Sequence, residues 1–458
     1  MNLNKFNKIH FIGIGGIGVS AIAKIFLHFN KEVSGSDVYE SQITKDLEKK
    51  GIKIFYEHKD SNLADDADLL IYSPAVPKDN PERQKAEKLN IKQMSYPEFL
   101  GEYSAEKNTI AIAGTNGKST TTAMIGKIFE KAGFDPTVIV GTQVPGFEGN
   151  LRLGSSDILI IEACEWKGHM LNLAPQSIIL TNLELDHLDY YKNLEDLQRH
   201  FQQFIDQLPI TKGLLVHNAD DQGLKDLTKD KGYQTKSFGL TNKKSDYLGV
   251  EIKIEDQQQL FKINNRQYSL MIPGKYNVYN ALAAITVAKE FKIKDKHIQE
   301  SLAEFPNCWR RFEILGPIKN KPETLVISDY AHHPTAIKGV IKAAREFYED
   351  RRLFIVFQPH HYDRTAKLFN DFVKSFNEAD LILVNEVYDV AGRKEDGERG
   401  VSSKNLVSEI QKFNPAKEVI YSPDLNKTRE IILKKVKDHD LVLIIGAGDI
   451  DEVARKII

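Results

Sequence analysis

The chain has 458 residues, roughly three times the ~150 residues of an ordinary domain. Hydrophobic residues make up 41% and charged residues 28%, and the net charge of -2 excludes a general attraction to nucleic acid or to an anionic membrane. No run approaches the ~20 apolar residues of a membrane helix, and with two cysteines, Cys164 and Cys308, neither a disulfide framework nor a cysteine-rich zinc site is available.

The start, "MNLNKFNKIHFIGIGG", runs straight into a strand, so no leader peptide is expected and the protein reads as cytoplasmic, without membrane insertion. "KIHFI" leads through "GIGGIG" into the helical "VSAIAKIFLHF", and "EVSGSD" and "LLIYSPAVP" follow as further strand ends. That rhythm predicts βαβ units and a parallel sheet, a first Rossmann-like domain over 1–105. A second series begins at "TIAIAGTNGKSTTTAMIGKIF" and continues through "DILIIEACEW", "SIILTNLELDH" and "GLLVHNADD". Between 231 and 272 the pattern alternates, as in "YLGVEIKIEDQQQLFKINNRQYSLMI", which predicts a small antiparallel sheet within a central α/β domain over 106–314. "TLVISDYAHHP", "RLFIVFQPHH", "ADLILVNEVYD", "KEVIYSP" and "LVLIIGAGD" form a third series, a C-terminal Rossmann-like domain over 315–458. The expected fold is therefore α/β in three domains, with chemistry beyond the carboxyl ends of the strands.

Two glycine loops stand at such strand ends. In "GTNGKST", Gly114, Thr115, Asn116 and Gly117 offer backbone N–H groups to phosphate oxygens at a helix start. Lys118 adds a positive charge, and Ser119 or Thr120 a hydroxyl for Mg²⁺. The loop departs from the consensus P-loop in having Ile112 where a glycine is usual. "GIGGIG" places Gly13, Gly15 and Gly18 in the G-x-G-x-x-G pattern, with Asp37 at the end of the next strand. This pattern reports a diphosphate near a helix start without naming its nucleotide, so a dinucleotide or a UDP group satisfies it. Two nucleotide loops in different domains favour a ligase or kinase over a dehydrogenase.

Glu162 ends the strand of "DILII", and "TNLELDHLD" ends the next. If those strands are neighbours, Glu162, His187 and the Lys118–Ser119 loop converge on one edge, where a carboxylate and a neutral imidazole suit Mg²⁺. The bland alternative has His187 capping a helix, with Asp186 and Asp189 in water. Cys164 reads as a small buried residue, since no partner base marks it as a nucleophile.

"GTNGKSTTT", "TNLELDHLDYY", "HNADD", "PGKYNVYNALAA", "RRFE" and "DYAHHPTAI", in this order along the whole chain, resemble the Mur ligases of peptidoglycan synthesis. "FIGIGGIGVSAIA…SGSD" and "FQPHHYDRT" resemble the branch that accepts L-alanine. The resemblance implies UDP-sugar binding in the N-terminal domain, ATP binding in the central P-loop domain and amino-acid binding in the C-terminal one. It implies ATP-dependent joining of L-alanine to the carboxylate of UDP-N-acetylmuramate through an acyl phosphate, with two Mg²⁺ ions, in a monomer or homodimer. Gly15, Gly16, Ile17, Ser36, Asp37 and Ser73 match UDP-sugar positions. Lys118 matches the phosphate-binding lysine, Ser119 a ligand of the first magnesium, and Glu162 and His187 ligands of the second. Asn277 and Asn280 match the segment that meets adenine, and Arg311, Asp329 and His333 match residues that close over ATP and substrate. His360, His361 and Arg364, with Tyr330 and His332, match the amino-acid site, and Lys118, Glu162, His187, His333 and Arg364 are the implied catalytic set.

Several positions differ from the family pattern. Asn116 and Ser119 stand where the L-alanine branch usually has His and Thr, Cys164 where an acid is common, Tyr276 where His is usual, and His361 where Arg is usual. Phe201 occupies the place of the carbamoylated lysine of the later Mur ligases, as in the L-alanine branch. The alternatives are a family ligase with another acceptor, such as a recycled murein peptide, a dinucleotide-dependent dehydrogenase, and a non-catalytic nucleotide-binding relative. The dehydrogenase leaves "GTNGKST" and "DYAHHP" unexplained.

Overall fold

The computed structural model describes residues 3–187, 190–228, 232–389 and 401–458. They form two compact units, Met1–Asp246 with Ala283–Ile298, and Tyr247–Leu282 with Gln299–Ile458.

In the first unit, strands β1 (Lys8–Ile12), β2 (Glu32–Ser36), β3 (Lys53–Phe55), β4 (Leu69–Tyr72) and β5 (Lys92–Ser95) form a sheet of order β3-β2-β1-β4-β5. All its pairs are parallel. The order reverses beside β1, so a crevice opens beyond the ends of β1 and β4. "KIHFI" and "LLIY" are buried almost throughout because helices cover both faces of a parallel sheet. Phe26 of the helix Ile17–His28 lies 5.4 Å from Phe99 of the helix Tyr96–Ser104, and both rings are fully buried. Burying each such side chain contributes about 1.5–3 kcal/mol. Ser95 and Glu98 close a capping box at the start of Tyr96–Ser104, with Pro97 in its first turn.

The second sheet of this unit uses β6 (Asn108–Ala113), β7 (Thr137–Ile139), β8 (Leu151–Arg152), β9 (Ile158–Glu162), β10 (Ser177–Leu180), β11 (Leu214–Asn218) and β12 (Gln234–Gly239). Within the unit its order is β12-β11-β10-β6-β9-β7-β8. Only the hairpin pair β7–β8 is antiparallel among these. β6 thus lies between β9 and β10, and the ends of those two strands flank the loop that follows it.

The second unit begins with the short β13 (Tyr247–Leu248) and the antiparallel sheet of β14 (Val250–Glu255), β15 (Gln258–Ile263) and β16 (Arg266–Leu270). Its larger sheet comprises β17 (Glu313–Ile318), β18 (Lys321–Asp329), β19 (Arg352–Phe357), β20 (Leu381–Asn385), β21 (Glu418–Ser422) and β22 (Asp440–Ile445). The order is β17-β18-β22-β19-β20-β21, with β17–β18 the antiparallel pair. "DLVLII" of β22 is buried at every residue, as expected of a central strand between two layers of helix. The α/β class, the parallel sheets and the small antiparallel sheet agree with the sequence reading.

Candidate functional site

The first glycine loop lies at the reversal point of its sheet. Gly13 has a φ of 75°, and its N–H donates to Ser36 O at 2.8 Å. Asp37 accepts from Gly15 N at 2.8 Å and from Val38 N at 2.8 Å, so one carboxylate fixes the loop and the turn after β2. A Cβ on Gly13 would lie 3.0 Å from Ser73 Cβ, which places Ser73, after β4, against the loop. Gly16 precedes the helix Ile17–His28, and Gly18 packs on the Tyr96 ring. Ser36 instead turns its hydroxyl to Glu82, 2.7 Å away and fully buried, where His10 and Asn62 also hydrogen-bond.

The second loop is clamped through its backbone. Asn116 N donates to Asn182 Oδ1 at 2.9 Å, and Asn182 Nδ2 donates to Asn116 O at 2.9 Å. Thr115 Oγ1 donates to Glu184 O at 2.8 Å, and Thr181 Oγ1 to Asn116 O at 2.7 Å. Gly117, with φ of 84°, caps the helix Lys118–Lys131, whose first N–H groups are free to meet an anion. Gly114 has φ of 141°, and a Cβ there would lie 2.0 Å from Thr181 Oγ1. Gly114→Ala is therefore expected to open the loop. Strain of about 1–3 kcal/mol corresponds to a loss of ATP affinity of about tenfold or more, measurable by titration calorimetry.

Lys118 Nζ donates to Gly114 O at 2.6 Å and Thr115 O at 3.1 Å, and pairs with Glu165 Oε2 at 2.9 Å. His187 Nε2 lies 3.3 Å from Glu165 Oε1. Burial pushes the Glu165 carboxyl up, but the Lys118 ammonium and His187 overcome this and hold it below its ordinary value. Burial works to lower the Lys118 ammonium, but Glu165, with Cys164 and Glu162 beside it, outweighs burial and raises it, so the lysine stays charged. Glu165 escaped the sequence reading; its one signal was an acid three residues beyond Glu162.

Ser119 Oγ donates to Glu162 Oε1 at 3.1 Å, and Gly141 N donates to Glu162 Oε2 at 2.6 Å. This hydroxyl and carboxylate form the oxygen pair that Mg²⁺ takes alongside phosphates and water, so these residues fit the ion the family implies. His187 has φ of 52°, and its Nδ1 is buried with no hydrogen-bond partner among the described residues, leaving a donor atom for a metal. The imidazole pairs with Glu165 through Nε2. Asp186, buried, accepts from His187 N at 2.7 Å, while Leu188 and Asp189 lie outside the described residues. Burial first, then Glu165, pushes the Cys164 thiol up to about 12, which leaves it protonated at neutral pH.

In the second unit the expected residues fall into one run. Arg311 stands 4.7 Å over the Tyr330 ring, Tyr330 and His332 are 5.2 Å apart, and His332 and His360 are 5.9 Å apart. Arg364 donates to His360 Nδ1 at 3.3 Å, and Tyr388 stacks on His360 at 5.6 Å. Tyr388 was not foreseen, although it follows the end of β20. His361 is buried with φ of 74°, and its Nε2 has no hydrogen-bond partner among the described residues. Asp329 accepts from Phe312 N and Ala331 N, both at 2.7 Å, and burial raises its carboxyl. His333 caps the helix Pro334–Phe347 through its ring. Asn277 and Asn280 are buried, the first donating to Pro273 O at 2.7 Å and the second to Asn277 Oδ1 at 3.1 Å.

Three family profiles match in sequence: the Mur ligase family catalytic domain over 8–108, the Mur ligase middle domain over 112–288, and the Mur ligase glutamate ligase domain over 310–448. The chain is 40% identical over 454 residues to a UDP-N-acetylmuramate–L-alanine ligase of Persephonella marina, covering 99% of this chain and 96% of that protein. The crystal structure of UDP-N-acetylmuramate-alanine ligase from Thermotoga maritima superposes with a TM-score of 0.83 at 30% identity, covering 98% of each chain. A murein peptide ligase from Psychrobacter arcticus shares the fold, with a TM-score of 0.71 at 24% identity and 98% of each chain covered. From its first sheet to its last, the chain belongs to the Mur ligase family.

Proposed function

We propose that the protein is an ATP-dependent ligase that joins L-alanine to the carboxylate of UDP-N-acetylmuramate in peptidoglycan precursor synthesis. The observation that carries this reading is the pairing of two glycine loops in one compact unit, each after a central parallel strand, with Lys118, Ser119 and Glu162 gathered at the second. The full-length likeness to L-alanine ligases supports the acceptor.

In this reading Gly13, Gly15, Gly16 and Gly18 receive the UDP diphosphate, and Gly114–Thr120 receives the phosphates of ATP. A carboxylate oxygen of the sugar acid attacks the γ-phosphorus and ADP leaves. The deprotonated amine of L-alanine then attacks the acyl carbon, and inorganic phosphate leaves. Lys118, already charged, neutralises the phosphoryl oxygens as its ammonium exchanges a present partner for them. Ser119 would hold one Mg²⁺ and Glu162 with His187 a second, supplying charge neutralisation at the phosphates when bound. His360, His361 and Arg364, with Tyr330 and His332, recognise the amino acid, and Asp329, Arg311 and His333 support the nucleotide side. Asn277 and Asn280 shape the adenine segment. The enzyme works in the cytoplasm as a monomer or homodimer, with domains near 1–105, 106–314 and 315–458.

The test is phosphate release from ATP and Mg²⁺ with UDP-N-acetylmuramate across a panel of amino acids and a murein tripeptide. L-alanine is expected to stimulate release above every other acceptor. Preferential stimulation by the tripeptide would transfer the chain to the recycling reaction, and no stimulation by any acceptor would overturn the ligase reading.

A further inference from the structure

The two phosphate loops are joined through the hairpin that links β7 and β8 by a series of hydrogen bonds and one backbone step, buried at Asn150 and exposed at Gly141. Asn150, 1% exposed, donates from Nδ2 to Ile17 O at 2.6 Å, at the end of the first glycine loop. The same nitrogen lies 3.5 Å from Val140 O, and Val140 N donates back to Asn150 O at 3.0 Å. On the other side of the amide, Lys24 Nζ donates to Asn150 Oδ1 at 3.3 Å and to Glu148 O at 3.0 Å. Two carbonyls facing the nitrogen and an ammonium facing the oxygen permit one orientation of this amide. The next residue after Val140 is Gly141, whose N–H donates to Glu162 Oε2 at 2.6 Å. Glu162 Oε1 in turn accepts from Ser119 in the ATP loop at 3.1 Å.

The geometry points to Asn150 as a positioning residue that couples occupancy of the first glycine loop to the orientation of the Glu162 carboxylate. This inference rests on the proposed function, in which the first loop holds a UDP-sugar and Glu162 serves the ATP site. A diphosphate docked on the amides of Gly15–Gly18 restricts the Ile17 peptide, whose carbonyl is held by Asn150. Asn150 fixes Val140, and Gly141 then holds Glu162 with Oε1 toward Ser119. A carboxylate already ordered by the first ligand needs no further ordering when the second arrives, which makes the two ligands bind cooperatively. A Cβ at position 141 would stand 2.8 Å from both Glu162 oxygens, so the close approach depends on glycine.

The experiment is titration calorimetry on the full chain with UDP-N-acetylmuramate and with the magnesium complex of AMPPNP, each alone and in the presence of the other. In the wild-type chain each ligand is expected to tighten the other by about tenfold, and in Asn150→Ala this falls below about twofold while each ligand alone changes less than about threefold. Asn150→Asp keeps the size and the acceptor for Lys24 but removes the donor to Ile17 O, and the same loss is expected from a chain that still folds, checked by its thermal midpoint. Coupling retained in either folded variant overturns the inference, as does UDP-sugar binding that weakens as much as the coupling does. A wild-type chain that does not bind UDP-N-acetylmuramate overturns the functional reading itself, whereas one that binds both ligands independently overturns the relay alone.

Discussion

Lys118→Ala is expected to lower ADP release by roughly 10²–10³-fold or more, the usual cost of removing one preorganised charge from a site where negative charge develops. The ammonium is held by Gly114 O, Thr115 O and Glu165, so it points along the loop before any nucleotide arrives. An alanine leaves Glu165 without its main counter-charge and the phosphoryl oxygens without theirs. Binding of UDP-N-acetylmuramate, followed by calorimetry, is expected to stay near the wild-type value, because none of the residues around Gly13–Gly18 touches Lys118. Unchanged turnover would remove this loop from the reaction. Lost sugar binding would show that the substitution unfolds the unit.

The second large effect concerns stability. The side chains of Lys118 and Glu165 are 13% and 4% exposed, and removing one member of such a pair strands the other charge. Glu165→Ala is therefore expected to lower the unfolding free energy at pH 7 by about 3 kcal/mol, read from urea denaturation. The pH dependence has a definite sign. The Glu165 carboxyl is held below its ordinary value, so its contribution is complete above the unfolded value of about 4.3 and is lost as pH falls through the folded one. The gap between wild type and variant should accordingly narrow in acid and stay constant from pH 6 upward. Equal midpoints at pH 7 would show that Glu165 carries no such load.

The strand–loop–helix units were legible in the sequence because strands covered on both faces are unbroken apolar runs ending in glycine or polar residues. "TIAIA", "DILIIE" and "SIIL" became β6, β9 and β10, but the strands ending at Glu162 and before His187 are not neighbours as expected: β6 lies between them, so they flank the ATP loop from either side. Glu165 was hidden for a physical reason. It stands on an irregular segment with Lys167 and Gly168 in left-handed conformations, where no period assigns a side chain to a face. The bond between Ser36 and Glu82 crosses 46 residues of sequence, so no local pattern announces it. Helix capping, considered for His187, is what His333 does, because Pro334 fixes the first turn right after it. Tyr388 is brought to the imidazole run by the backbone bridge between Tyr388 and His360, a contact set by the pairing of β19 with β20.

The grip of Asn182 on the ATP loop bears on how freely this sequence can drift. Its amide meets the N–H and the C=O of position 116 as a neighbouring strand would, and it ignores the side chain there. The loop's backbone is therefore held in the same way whatever side chain stands at position 116. The constraint has been moved 66 residues downstream, to a position where aspartate lacks the donor and leucine lacks both groups. Within "GTNGKST" a change of side chain at Asn116 thus costs the backbone little, and the price of altering the loop is levied at Gly114 and Asn182.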